Sequence, residues 1–138
     1  MPMFESLVAL DLGTTTLAGR LLGRQGQILA EAKRSNPQGV QGSDIIRRLE
    51  AALHGEGARL QRLLAEGVEE LIAELLATAG LSRSAVSAAA AAGNPGICHL
   101  LRRLPAEPIL FPPHRPPDRE GAFLEAADLG LDLPVPLY

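Results

Sequence analysis

The chain of 138 residues has one cysteine, no tryptophan and 3% aromatic residues. A single thiol, Cys98, excludes an internal disulfide, a cysteine-rich zinc site and an iron–sulfur cluster held by this chain alone. The only rings are Phe4, Phe111, Phe123 and Tyr138, so the interior is left to Leu, Ile, Val and Ala, and no platform exists for stacking bases. Basic residues are not in excess. Thirteen Lys and Arg against 16 Asp and Glu give a net charge of −3, which argues against a nucleic-acid partner. No apolar run reaches the roughly 18 residues of a membrane helix, and the N-terminus lacks the basic-then-apolar pattern of a signal peptide. These absences make a cytoplasmic protein with no membrane partner the expectation. The 46% of hydrophobic residues are enough for a core, since a chain of this length buries about 68–70% of its unfolded surface.

Apolar patterning divides the chain. Ser6 to Gly13 is a mostly apolar run ending in glycine, which fits a strand buried on both faces at the centre of a mixed sheet. β-Branched Thr14-Thr15-Thr16 follows, then a second strand from Leu17 to Leu22, a Gly23–Gly26 turn and a third strand from Gln27 to Lys33. Ser35 to Gly39 reads as a Pro-bounded loop. Ser43 or Asp44 can cap a helix with Ile45, Ile46, Leu49 and Leu53 on one face, interrupted by Gly55 and Gly57. A long helical stripe then runs from Leu60 to Leu76 and stops at Gly80. Ala85 to Ala92 suits either helix or a short buried strand; the strand is preferred because helices would flank it, as in a β-α-β unit. Pro95 opens a helix through Ile97, Leu100 and Leu101. Six of the 11 prolines fall between Pro105 and Pro117, which predicts extended surface loop, and Ala122 to Leu129 predicts one short helix. The architecture expected is α/β: three antiparallel strands plus a parallel one in a mixed sheet, flanked by helices.

The strongest chemical signal is Asp11-Leu12-Gly13-Thr14-Thr15-Thr16 between two strands. A tight glycine turn can aim backbone N–H groups at an anion, with hydroxyls adding donors. An acidic residue at the end of the first strand can hold magnesium through water. No helix follows the glycine, unlike the Walker loop and the dinucleotide fingerprint. An ordinary hairpin turn is the alternative. Asp44 is a second carboxylate that either assists water or metal placement or simply caps a helix. Asn94 either faces a terminal phosphate or satisfies its own turn. Asn36 and Gln38 either line a cleft or form a bland polar loop, the latter being the expectation. His99 is read as a packed or surface imidazole, Cys98 as a small buried residue, and Arg47, Arg48, Arg59 and Arg62 as solvated helix positions.

Asp11 to Thr16 resembles the first phosphate motif of the actin, sugar kinase and heat-shock chaperone superfamily. In order along the chain come that motif, Ser35-Asn36-Pro37-Gln38, Gly42 to Leu49, Ala92-Gly93-Asn94, His99-Leu100-Leu101 and Phe111-Pro112. This succession is similar to the ATPase domain of the reductive activators of corrinoid proteins. The segment after Gly93-Asn94 departs from the family's Thr- and Met-rich pattern, reading Pro95-Gly96-Ile97-Cys98.

The resemblance implies a ribonuclease-H-like lobe over residues 1–104, with 105–138 a Pro-rich connection into the next, truncated part. It implies ATP and Mg2+ as cofactors, with Asp11 positioning the metal and Gly13, Thr14, Thr15 and Thr16 cradling phosphate. It also implies a [2Fe-2S] cluster in a domain outside this chain, and a corrinoid protein as partner, reduced from cob(II)alamin to cob(I)alamin at the expense of ATP. The chain alone, holding half a nucleotide cleft, is expected to be inactive. Two rival readings stand beside this one: a small-molecule kinase of the same superfamily, and a non-catalytic module pairing with a second copy through its Leu-rich helices.

Overall fold

The computed structural model describes residues 5–115 and 120–138. Four strands, β1 (Ser6–Leu12), β2 (Thr16–Gly23), β3 (Ile28–Ser35) and β4 (Val86–Gly93), form one sheet in the order β3-β2-β1-β4. The first three run antiparallel as a meander, and β4 lies parallel to β1. The crossover from β3 to β4 is carried by α1 (Ile45–Ala51) and α2 (Gly57–Ala79), and α3 (Pro95–Arg102) follows β4. This is the expected α/β architecture, a mixed sheet flanked by helices.

Strand alternation decides which side chains enter the core. Val8, Leu10 and Leu12 of β1 and Leu17 and Leu21 of β2 turn inward, because successive side chains in a strand point to opposite faces. They meet Leu64, Val68, Leu71, Ile72, Leu75 and Leu76 of α2, which recur every three or four residues along one helix face. Close packing needs glycine at two points. At Gly19 a Cβ would lie 3.0–3.2 Å from methyls of Leu75, Leu10 and Leu71, so these leucines rest directly on the β2 backbone. At Gly67 a Cβ would lie 2.8 Å from Pro37 Cδ and 2.9 Å from Leu17 Cδ1, which seats α2 against the segment after β3. α2 ends as expected at Gly80, whose φ of 68° permits the Leu81 N–H to reach the Leu76 carbonyl.

Several expectations need correcting. β1 is central in the sheet, yet Leu7 is 38% exposed and Ala9 half-buried, so within the described residues only one sheet face is covered. An apolar run signals lateral centrality, and the second covering layer is a tertiary matter. Gly55, with φ 101°, does break the first helix, but Gly57 has helical angles and opens α2. The Pro-rich stretch is not wholly loop. Its one-turn helix α4 (Glu107–Leu110) follows buried Ala106, and Ile109 and Leu110 pack on a second small core with Leu49, Leu60 and Leu100. Proline at the first turn of a helix costs no hydrogen bond, which is why Pro108 is tolerated there. Pro116 and Pro117 lie outside the described residues. Ala122 to Leu129 is not a helix: only a 3-10 turn at Ala126–Leu129 forms, while Leu124 bridges to Leu137. Leu137 also bridges to Ala89, where the Tyr138 N–H donates to the Ala89 carbonyl and the Tyr138 carbonyl accepts from the Ala91 N–H.

Candidate functional site

The strand directions gather the sequence motifs at one end of the sheet. Parallel pairing sets Leu12 opposite Gly93, so the turn after β1 and Asn94 after β4 emerge side by side. Antiparallel pairing of Thr16 with Ser35 brings the end of β3 to the same place. Ligand sites of α/β sheets cluster at such carboxyl ends of parallel strands.

The turn itself closes by a Gly13 N–H bond to the Thr16 carbonyl, 2.9 Å. A Cβ at position 13 would lie 2.5 Å from that same carbonyl oxygen, so only glycine fits. The Gly13 N–H is thereby engaged within the hairpin. Two further carbonyls are pinned by one residue. Asn36 donates its Nδ2 to the Gly13 carbonyl at 3.0 Å and its backbone N–H to the Thr15 carbonyl at 2.8 Å. In a trans peptide the C=O and the next N–H point opposite ways, so the Thr14 N–H turns away from Asn36, while the Thr16 N–H, on the same strand edge as the Thr16 carbonyl, faces back toward Gly13.

Asn94 caps α3: its Oδ1 accepts from the Ile97 N–H at 2.9 Å, while its Nδ2 donates to Thr14 Oγ1 at 3.2 Å. The side chain thus ties the start of α3 to the turn. Ile45 packs against Gly96, which brings the start of α1 to the start of α3. Asp44 is the cap of α1, its Oδ1 accepting from the Arg47 N–H at 2.9 Å, with an exposed Arg47 contact at 3.7 Å. Helix capping is the expected reading of Asp44 and one of the two for Asn94, and each side chain caps its helix in the structure.

Asp11 stands on the open face of the sheet between Ala92 of β4 and Ala18 of β2. The two small neighbours leave its carboxylate uncovered. Beyond Ala18 the same row continues to Lys33 of β3, and a groove of about 680 Å3 is lined by Asp11, Arg20, Glu31 and Lys33 over Ala9, Ala18 and Ala32, with Arg20 paired to Glu31 at 2.9 Å. Neither Lys33 nor Arg20 carries a local sequence signal for a site. The alternation of β3 would have set Lys33 on the same face as Glu31, but only the register relates it to Asp11. Among the described residues no group of three His, Cys, Asp or Glu side chains could hold a metal ion by itself.

Arg48 overturns its expectation of a solvated helix position, while Asn36 and Gln38 lie in the expected polar Pro-bounded segment, Asn36 Oδ1 accepting from the Gln38 N–H, but are interior. Asn36 is 4% exposed, Gln38 0% and Arg48 1%, so none lines a cleft or solvates a helix. Gln38 Nε2 donates to the Leu60 carbonyl at 2.8 Å, and its Oε1 accepts from Arg48 Nη1 at 3.3 Å. Arg48 Nε donates to the Gly42 carbonyl at 2.9 Å. Burial pushes the Arg48 guanidinium down from its ordinary value, and the Asp44 charge opposes this. Arg48 lies three residues after Ile45 and one before Leu49, on the buried stripe of α1. Helical spacing alone could have found it.

His99 is packed, as one of its alternatives held. Its Nδ1 is 2.8 Å from the Pro105 carbonyl, which can only accept, so Nδ1 carries the proton. Cys98 is half-buried and donates its thiol to the Gly93 carbonyl at 3.5 Å. Burial pushes this thiol up, with Arg102 and the Gly93 hydrogen bond opposing. The folded chain therefore keeps the thiol proton to higher pH than the unfolded chain does, and this contribution to stability is fully present below the unfolded thiol's ordinary value and is lost as pH rises from there through the raised value of the folded thiol. Native protein at pH 8 is expected to react with iodoacetamide several-fold more slowly than protein unfolded in urea. Equal rates would show the thiol to be neither shielded nor shifted.

No helix of the described residues is long and apolar enough to cross a membrane. No curated protein matches the chain by sequence. A solved structure titled reductive activator for corrinoid, iron-sulfur protein superposes with a TM-score of 0.93 at 23% identity, covering 100% of this chain and 23% of that one. The present chain thus spans under a quarter of that relative's length. The family model described as the RACo middle region matches residues 7–135, nearly all of the sequence, and the chain belongs to that family.

Proposed function

We propose that this chain is the phosphate-gripping lobe of an ATPase domain in a corrinoid-protein reductive activator, in which ATP hydrolysis drives a conformational step that delivers an electron to a corrinoid partner. The observation that supports this most directly is the turn between β1 and β2, whose Gly13 carbonyl is pinned by Asn36 so that the Thr14 N–H faces the other way. A backbone N–H so directed beside threonine hydroxyls suits the oxygens of a phosphate chain. The solved relative's title names a corrinoid, iron-sulfur protein as what it activates, which favours a corrinoid partner for the whole polypeptide. In this reading the [2Fe-2S] cluster belongs to another domain.

The residues suit magnesium only as a shared ligand set. Asp11 offers hard carboxylate oxygens with open space on either side. With no protein cluster to complete the shell among the described residues, phosphate oxygens and water would supply the remaining ligands. Bound there, the ion would neutralise charge developing on the phosphates. Lys33 would add positive charge from across the sheet. Asn94, once released from Thr14, would donate to the terminal phosphate, and Asp44 would orient the attacking water from the start of α1.

Calorimetric titration of Mg-ATP into the full-length polypeptide tests the proposal. Asp11→Ala is expected to weaken binding by about tenfold, the worth of roughly 1.4 kcal/mol. Equal affinity in the variant would move the site elsewhere, and absence of binding in both proteins would reduce the turn to a plain hairpin.

A further inference from the structure

The mechanism just described uses the turn but does not explain why three polar side chains are buried beneath it. Burying an amide, a second amide and a guanidinium costs free energy unless each is satisfied. Here the chemistry of the partners dictates every orientation. Gly13 O can only accept, so the Asn36 nitrogen must face it. The Gln38 N–H can only donate, so the Asn36 oxygen must face that, 3.0 Å away. The cationic Arg48 can only donate, so the Gln38 oxygen faces it and the Gln38 nitrogen is directed to the Leu60 carbonyl. Asn36 Nδ2 and Gln38 Oε1 lie 3.4 Å apart, which joins the two amides. No flipped amide satisfies the set.

We propose that Asn36 is the positioning residue of the phosphate turn, its amide locked by Gln38 and Arg48 so that the Thr14 N–H is preset toward the ligand. This rests on the reading of the turn as a phosphate site. Asn36 touches no ligand in this role and acts through the Gly13 and Thr15 carbonyls. Preset donors cost no reorganisation when an anion arrives, which is where the gain in affinity lies. The anchoring also joins the turn to both crossover helices, since Arg48 belongs to α1 and Leu60 to α2.

Asn36→Ser separates the pin from the cap. Serine retains an oxygen that can accept from the Gln38 N–H, but it is too short to reach the Gly13 carbonyl. In the full-length polypeptide it is expected to weaken Mg-ATP binding by about tenfold, the loss of one aligned donor to a charged group. Amide hydrogen exchange without ligand should accelerate only in the segment spanning Leu12 to Leu17. Asn36→Thr takes its place should the serine variant not fold, because its β-branch suits the extended angles of position 36, φ −70° and ψ 116°. Wild-type affinity in the variant overturns the proposal. Faster exchange spreading through α1 and α2 overturns it as well, since that is lost packing. Asp11→Ala measured alongside separates the two levels: if it weakens binding and the Asn36 variant does not, only the positioning role falls. If neither variant weakens binding, the phosphate-site reading falls too.

Discussion

Gly13→Ala should weaken Mg-ATP binding to the full-length polypeptide by about a hundredfold or more, the loss of roughly two hydrogen bonds to a charged phosphate. The added methyl would sit 2.5 Å from the Thr16 carbonyl oxygen, a backbone atom with no side-chain freedom to yield. Relief requires breaking the Gly13–Thr16 hydrogen bond and rotating the adjoining peptide units. Those units carry the Thr14 N–H and the neighbouring threonine hydroxyls, so the donors would be misdirected even where the sheet survives. The core side chains of β1 and β2, from Val8 to Leu12 and at Leu17 and Leu21, lose no atom by the change. Binding should therefore collapse while far-ultraviolet circular dichroism remains close to wild type. An alanine variant that binds normally would mean the turn's geometry is not what grips the ligand.

Leu71→Ala should have the opposite profile, a large loss of stability with no direct contact to the turn. Leu71 is fully buried and, with Leu75 and Leu10, closes over Gly19. Truncation removes about three buried carbons and leaves a cavity that the flat β2 backbone cannot fill, for a cost of about 3 kcal/mol. In a chain of this size that corresponds to a fall in melting midpoint of about 12 °C. Leu63, on the same helix but only half-buried, serves as the comparison, and its alanine variant should lose well under half as much. Equal losses at the two positions would contradict the packing of α2 on the sheet described above.

The sequence alone determined the elements whose signals are local. Gly80 after the Leu60–Leu76 stripe predicts the end of α2 and fulfils it, because a left-handed residue at that point is nearly a glycine privilege. Pro95 behind Gly93-Asn94 marks the start of α3, since proline fits where the helix has no carbonyl for its missing N–H. Ala85 to Ala92 was ambiguous by propensity, and the β-α-β argument, a matter of topology, resolved it to the strand the structure contains. The turn at Asp11 to Thr16 was legible because glycine and threonine chemistry is local too.

Only the tertiary structure decided what those pieces mean to one another. The register of β1 against β4 is what sets Asn94 beside Thr14, and the register of β2 against β3 is what relates Lys33 to Asp11. Neither can be counted off a sequence, because strand pairing joins residues tens of positions apart. Burial reversed the reading of Arg48 and made the polar loop of Asn36 and Gln38 interior. Polar residues near a proline or on a short helix look solvated in one dimension. They become interior only when α1 and α2 fold over them and supply the Gly42 and Leu60 carbonyls. Composition and periodicity report what each residue prefers. Which polar groups are enclosed, and therefore obliged to find partners, depends on how the elements pack.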